Sequence, residues 1–142
     1  MNDVTEKRPT TLADETARYL AWKDATLDHN RPAAVAAQHK RGALTARERI
    51  DRFVDPGSFV EFGQLGRPDP EDPFGDEVLG AADGIVTGTG RVDGRPVVVV
   101  SYDFTVSGAS MGRTNDEKFA RARHISMRSG VPLVMFVEGG GA

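Results

Sequence analysis

The chain has 142 residues, of which 39% are hydrophobic and 27% charged, with a net charge of −3. That is the size and balance of one ordinary globular domain, and its interspersed acids and bases leave no nucleic-acid footprint. It has no apolar run of about 18 residues and no apolar stretch behind its polar start, so membrane insertion and secretion lack support and the cytoplasm is the default expectation. Zero cysteines exclude disulfides, thiol catalysis and cysteine-held zinc. His29, His39 and His124 show no ligand spacing, so no metal is expected.

Residues 1–13 are polar and expected to be disordered. Residues 14–27 are helix-permissive, with Tyr19, Leu20, Trp22, Ala25 and Leu27 on a broad apolar side. Arg31 and Pro32 interrupt that pattern. Residues 33–40 predict a second short helix ending at Gly42, a good residue for the left-handed position after a helix. Thr45 and Glu48 have capping-box spacing and open a third helix, with Ile50 and Phe53 on one side, that stops at the DPGS turn of residues 55–58. The many Arg and Lys side chains of these helices are expected to form a solvated face.

Residues 59–62 predict a short strand, and residues 64–77, with three prolines among acids, an exposed loop. Residues 84–92 and 96–102 predict two strands joined at Asp93-Gly94, a strong hairpin signal. The four valines at 97–100 indicate burial on both faces of the second strand. Asn115 is the expected N-cap of a helix whose residues Phe119, Ala122 and Ile125 or Ser126 face inward, with Arg121, Arg123 and Arg128 facing out; Ser129 and Gly130 close it. The apolar run of residues 133–137 predicts a last strand buried on both faces, and strand–helix–strand over this length implies a βαβ crossover.

Two loops rich in small residues follow the two buried strands. The first, residues 104–112, holds Ser107, Gly108 and Ala109; the second runs from Gly139 through Gly140 and Gly141 to Ala142. If the strands are parallel neighbours, both loops leave one edge of the sheet, where open α/β sheets bind ligands. Bare amides fixed there can stabilise a developing oxyanion and grip an acyl thioester. The bland alternative for residues 139–141 is a glycine-rich connection to a helix.

Other patterns are weaker. Residues 108–112 match G-x-S-x-G around Ser110, but the nucleophile elbow needs its serine on a tight strand-to-helix turn, and His124 sits in the helix that follows. The glycines at 88, 90 and 94 miss the dinucleotide spacing by one and lie inside a hairpin. Glu138 at a strand end is positioned for a general base, although a single acid there is usually solvated. The sequence stops at Ala142 just after a strand and a glycine turn, where a covering helix normally follows, so the chain is expected to be the front part of a longer protein.

Several of these stretches belong together. GALTARERIDRFVDPGSFVE (42–61), DGIVTGTGRVDGRPV (83–97), DFTVSGASMG (103–112), RSGVPL (128–133) and the terminal glycine turn resemble, in order and spacing, the opening of biotin-dependent acyl-CoA carboxylase β-subunits of the propionyl-CoA and acetyl-CoA type. The resemblance covers about residues 33–142. It implies an α/β, ClpP/crotonase-like ββα superhelix, here its N-terminal portion with leading helices: a disordered start (1–13), a helical segment (14–56) and the beginning of the carboxyltransferase N-domain (57–142). It also implies carboxyl transfer from carboxybiotin, carried on a partner subunit or domain, to the α-carbon of an acyl-CoA, in a homo-oligomer that works with a biotin carboxylase and biotin carrier. In that family, amides of the turn holding Gly140 and Gly141 bind the thioester oxygen as it becomes an enolate; these two are the implied catalytic residues. Ser107, Gly108, Ala109, Gly139 and Ala142 are the expected substrate-binding residues. Glu138-Gly139 stands where the family usually has an acid and a serine, and Arg113 to Asp116 departs after Gly112, so the acyl group is left open. A serine hydrolase built on Ser110 and a biotin-dependent decarboxylase are the alternatives.

Overall fold

The computed structural model describes residues 11–67, 84–109 and 112–139. Three helices lead: α1 (Leu12–Ala25), α2 (Pro32–Lys40) and α3 (Ala46–Phe53), with a 3₁₀ turn at Asp28–Asn30 between the first two. Strands β1 (Val60–Phe62), β2 (Ile85–Val92) and β3 (Arg95–Tyr102) follow, then a 3₁₀ turn (Ser107–Ala109), helix α4 (Arg113–Ser129) and strand β4 (Leu133–Phe136). The described strands form one sheet in the order β1-β2-β3-β4. β2 and β3 make the expected hairpin, with Val92 opposite Arg95 and both turn residues at positive φ (Asp93 50°, Gly94 76°). β3 and β4 pair in parallel across α4, with Val98 opposite Leu133 and Ser101 opposite Phe136. β2, β3 and α4 constitute one ββα unit.

The alternation of side chains along β3 divides the core into two layers. Val97 and Val99 join Val86, Ala46, Ile50 and Val54 beneath α3. Val98, Val100 and Tyr102 join Ile85, Ala109 and Ala122 beneath α4. β3 is thus covered on both faces, as its valine run predicts, and Val98, Val99 and Val100 are fully buried. Phe53 of α3 meets Phe136 of β4 edge-on, ring centres 5.3 Å apart, a favoured aromatic geometry.

Glycines let the α3 layer close. A Cβ on Gly88 would lie 2.4 Å from the Phe59 ring and 2.6 Å from the Val60 carbonyl; one on Gly90 would lie 2.9 Å from Val54. Two of the three glycines of the broken nucleotide motif, Gly88 and Gly90, are therefore the floor on which Phe59 and Val54 pack.

Four expectations need correction. β4 is not buried on both faces: it is the edge of the described sheet, and Met135 is 36% and Val137 70% exposed. An apolar run records what a strand can bury, and the neighbour that would bury it is a matter of sheet order. α4 starts at Arg113 with Gly112 as N-cap, and Asn115 lies fully buried inside the helix. α1 begins at Leu12, because Thr11 and Asp14 form a capping box in which each side chain accepts the other's backbone N–H. The apolar side expected of α1 is not buried: the helix buries none of its residues, and the guanidinium groups of Arg18 and Arg67 stack on the Trp22 ring, 4.7 and 4.4 Å from its centre. The capping box of α3 and the left-handed residues Gly42 and Gly130 after α2 and α4 form as expected. Of the predicted proline-rich loop, residues 68–77 lie outside the described residues, as do residues 1–10. No helix among the described residues is long and apolar enough to cross a membrane.

Candidate functional site

Because β3 and β4 run in parallel and in register, the segments after them leave the same edge of the sheet. The condition set by the sequence for a shared binding edge is met. After β3, Asp103 is buried and its carboxylate folds the chain back: it accepts the Thr105 N–H at 3.0 Å and the Thr105 hydroxyl, an Asx turn. Val106 N–H then bonds the Asp103 carbonyl at 3.0 Å and Ala109 N–H the Val106 carbonyl at 2.8 Å. Three consecutive residues here are left-handed: Ser107 (φ 45°), Gly108 (63°) and Ala109 (57°). Glycine takes this conformation freely, while Ser107 and Ala109 each bear roughly 1–2 kcal/mol of strain. Backbone held against its preference is a common property of binding loops, and these are the residues the sequence assigns to substrate.

The loop is braced from the leading helices. Arg31 donates to the Asp103 carboxylate at 3.0 Å and to the Thr105 hydroxyl at 3.2 Å. Arg41 stacks on the Phe104 ring, 4.0 Å from its centre. After β4, Glu138 is held from three sides. Gln38 Nε2 donates to both carboxylate oxygens (2.9 and 2.8 Å), Arg49 Nη1 donates at 2.8 Å, and Arg41 lies at 3.6 Å. The second Arg49 nitrogen donates to the carbonyl of Tyr102, the last residue of β3. One guanidinium therefore bonds the exits of both parallel strands.

This corrects two expectations. Glu138 is no solvated acid at a strand end; its side chain is 19% exposed and fully engaged. The arginines of the leading segment are not all a solvated face, since Arg31, Arg47 and Arg49 are each 16% exposed and paired with Asp103, Glu61 and Glu138. The sequence carried a sign of this. Ala46, Arg49, Ile50 and Phe53 fall at the i, i+3, i+4, i+7 spacing of a buried stripe, and an arginine on such a stripe needs a buried partner.

Of the sequence-assigned site residues, the structure places Ser107, Gly108 and Ala109 on the loop after β3, and Gly139, exposed, directly after Glu138. Gly140, Gly141 and Ala142 lie outside the described residues, and so does Ser110. The histidines give a serine nucleophile no support: His124 is exposed on α4, His29 bonds Asp24, and His39 bonds Glu48.

A mixed sheet with a ββα unit, its parallel strands β3 and β4 followed by the Ser107–Ala109 turn and by Gly139, fits a crotonase-like fold. The comparisons with known proteins agree: residues 37–142 match the carboxyl transferase domain, and the chain belongs to that family. It is 46% identical over 116 residues to a propionyl-CoA carboxylase beta chain from Saccharopolyspora erythraea, covering 77% of this chain and 20% of the relative. It is 42% identical over 109 residues to the methylmalonyl-CoA carboxyltransferase 12S subunit of Propionibacterium freudenreichii subsp. shermanii, covering 76% and 21%. Among solved structures it is similar to transcarboxylase 12S, crystallised as a hexamer with methylmalonyl-coenzyme A bound (TM-score 0.81, 32% identity, 94% of this chain and 26% of that one). A single-chain, multi-domain long-chain acyl-CoA carboxylase has TM-score 0.82 and 41% identity over 94% of this chain and 14% of that one. The chain thus spans about a fifth of the length of the curated relatives it matches.

Proposed function

We propose that this protein is the carboxyltransferase component of a biotin-dependent acyl-CoA carboxylase, and that this chain supplies the acyl-CoA side of its site. The observation that carries the reading is the parallel pairing of β3 with β4, which brings the loop of Ser107, Gly108 and Ala109 and the residue Gly139 to one edge. Family membership and the methylmalonyl-coenzyme A bound to the similar transcarboxylase support an acyl-CoA substrate.

The assigned chemistry follows from what such an edge can do. Removing the α-proton of a thioester puts negative charge on its carbonyl oxygen, and fixed N–H groups of Gly140 and Gly141 would hold that oxygen. One such donor is worth ~3–4 kcal/mol of transition-state stabilisation. Ser107, Gly108, Ala109, Gly139 and Ala142 would line the acyl chain. Carboxybiotin, brought by a partner's carrier domain, would supply the carboxyl group, and the ring nitrogen that gives it up would end with the proton lost from the α-carbon; none of this chain's described residues is assigned to that ring. The working form is a homo-oligomer in the cytoplasm, acting with a biotin carboxylase and biotin carrier.

The test uses the complete gene product, a carboxylated biotin carrier and propionyl- or acetyl-CoA. Carboxyl transfer should be measurable, Ser110→Ala should leave it largely intact, and Gly141→Pro, which deletes an N–H, should lower kcat by about 10²–10³-fold. Thioester hydrolysis abolished by Ser110→Ala, without carboxyl transfer in the parent protein, would favour the hydrolase instead.

A further inference from the structure

Arg49 occupies the buried stripe of α3, where an aliphatic residue would pack without charge. Its Nε is buried with no hydrogen-bond partner among the described residues, a cost that a residue selected only for packing would not bear. Well-packed apolar substitutes for buried ion pairs are often as stable as the pair they replace. Stability alone therefore does not explain an arginine there. What Arg49 has, and an aliphatic side chain lacks, is two separate bonds to the two strand exits: the Tyr102 carbonyl at the end of β3 and the Glu138 carboxylate beyond β4.

Resting on the carboxyltransferase reading above, we propose that Arg49 is a positioning residue for the acyl-CoA edge, holding the loop of Ser107, Gly108 and Ala109 through the Tyr102 carbonyl and Gly139 through Glu138. Glu138 is joined by one peptide bond to Gly139 and lies two residues before Gly140. Its carboxylate is fixed by Arg49 and Gln38, so α2 and α3 hold the chain at Glu138, just past the end of β4. The Tyr102 bond holds the same guanidinium to the start of the loop that carries Ser107, Gly108 and Ala109. The planar guanidinium, with its donors in a rigid fork, bonds both groups at once; an ammonium is a single point charge without that fixed geometry. A displacement of about 1 Å in such a site is enough to cost ~10²-fold in rate, and β4, as an edge strand with exposed Met135 and Val137, has little else among the described residues to fix its exit.

The experiment uses the complete gene product with a carboxylated carrier and compares Arg49→Lys, Arg49→Met and Glu138→Gln with Arg47→Met. The last breaks an ion pair of similar burial, Arg47–Glu61 at 2.8 Å, that is not bonded to either exit. Each variant is read by its thermal midpoint and by kcat and KM for acyl-CoA separately. Expected is a kcat loss of about 10–10²-fold for the Arg49 and Glu138 variants, with KM changed less than about threefold. Arg47→Met should lower the midpoint and leave kcat near the parent's. Arg49→Lys retains a cation and covers the case in which Arg49→Met fails to fold. Parental kcat in Arg49→Lys, or equal kcat losses in Arg47→Met and the Arg49 variants, overturns the positioning role. Absence of carboxyl transfer in the parent protein overturns the function itself, which keeps the two failures distinct.

Discussion

At the scale of single residues, the same residue type does opposite work in different places. Gly108 supplies a left-handed conformation in the candidate loop, whereas Gly88 supplies absence of volume. The second is testable by stability alone. In an open strand, Gly→Ala gains roughly 0.5–1 kcal/mol of backbone entropy. At Gly88 the added carbon would meet the Phe59 ring at 2.4 Å and a backbone oxygen at 2.6 Å, and backbone cannot rotate away. Gly88→Ala is therefore expected to destabilise by about 1–3 kcal/mol, with a smaller loss for Gly90→Ala, whose nearest neighbour is the Val54 side chain. Urea unfolding of the two variants gives the comparison; equal or increased stability for Gly88→Ala would refute the packing argument. Arg49 is the other lesson at this scale, a charge on an apolar stripe whose partner no local rule names.

At the scale of elements, α3 does more than its eight residues suggest. Its capping box fixes the start, with the Thr45 hydroxyl also donating to Asp28 at 2.6 Å. Its stripe places Ala46 and Ile50 in the core beneath β2 and β3. Just past its end, Asp55 accepts both amides of the β2–β3 turn, from Asp93 at 2.9 Å and Gly94 at 2.8 Å. Ile50 is 1% exposed, so Ile50→Ala is expected to cost 2–5 kcal/mol, in the range of buried aliphatic truncations. Chemical denaturation reads this directly, and a loss below about 1 kcal/mol would mean that α3 is not part of the core. α1 stands apart: it buries none of its residues, and its contacts with later segments include the Arg67 guanidinium over Trp22 and the Gln64 amide on the Lys23 carbonyl. The periodicity of α3 made its role legible. The burial of α1 was not, because an apolar side says nothing about what faces it.

At the scale of the whole molecule, the leading segment carries an acid sensitivity. Glu48 is held below the ordinary carboxylate range, first by the Thr45 backbone N–H and then by His39. Asp24 is lowered by the Asn30 amide and then by His29. A carboxylate whose folded pKa is depressed stabilises the fold above its unfolded pKa, and that contribution disappears as pH falls through the folded value. Thermal midpoints measured downward from neutral pH should thus fall on entering the carboxylate range. Glu48→Gln should start lower at neutral pH and lose less on acidification. Both side chains are well exposed, so solvent screens the effect. An identical acid limb in the variant would exclude Glu48 as a contributor.

The sequence by itself determined what depends on near neighbours in the chain: the helix caps at Thr45 and Gly130, the hairpin at Asp93-Gly94, and the central burial of the β3 valines. Each follows from hydrogen bonds and φ/ψ preferences acting over a few residues, or from side-chain alternation along one strand. The stretches that resemble carboxyltransferases gave the family, which the comparisons bear out. Only the tertiary structure decided that β3 and β4 are direct neighbours, that β4 is the edge of the described sheet, and that Arg49 and Glu138, 89 positions apart, meet at the strand exits. Burial and charge pairing over such distances are set by where the chain returns, and that return is fixed by the packing of all the elements together.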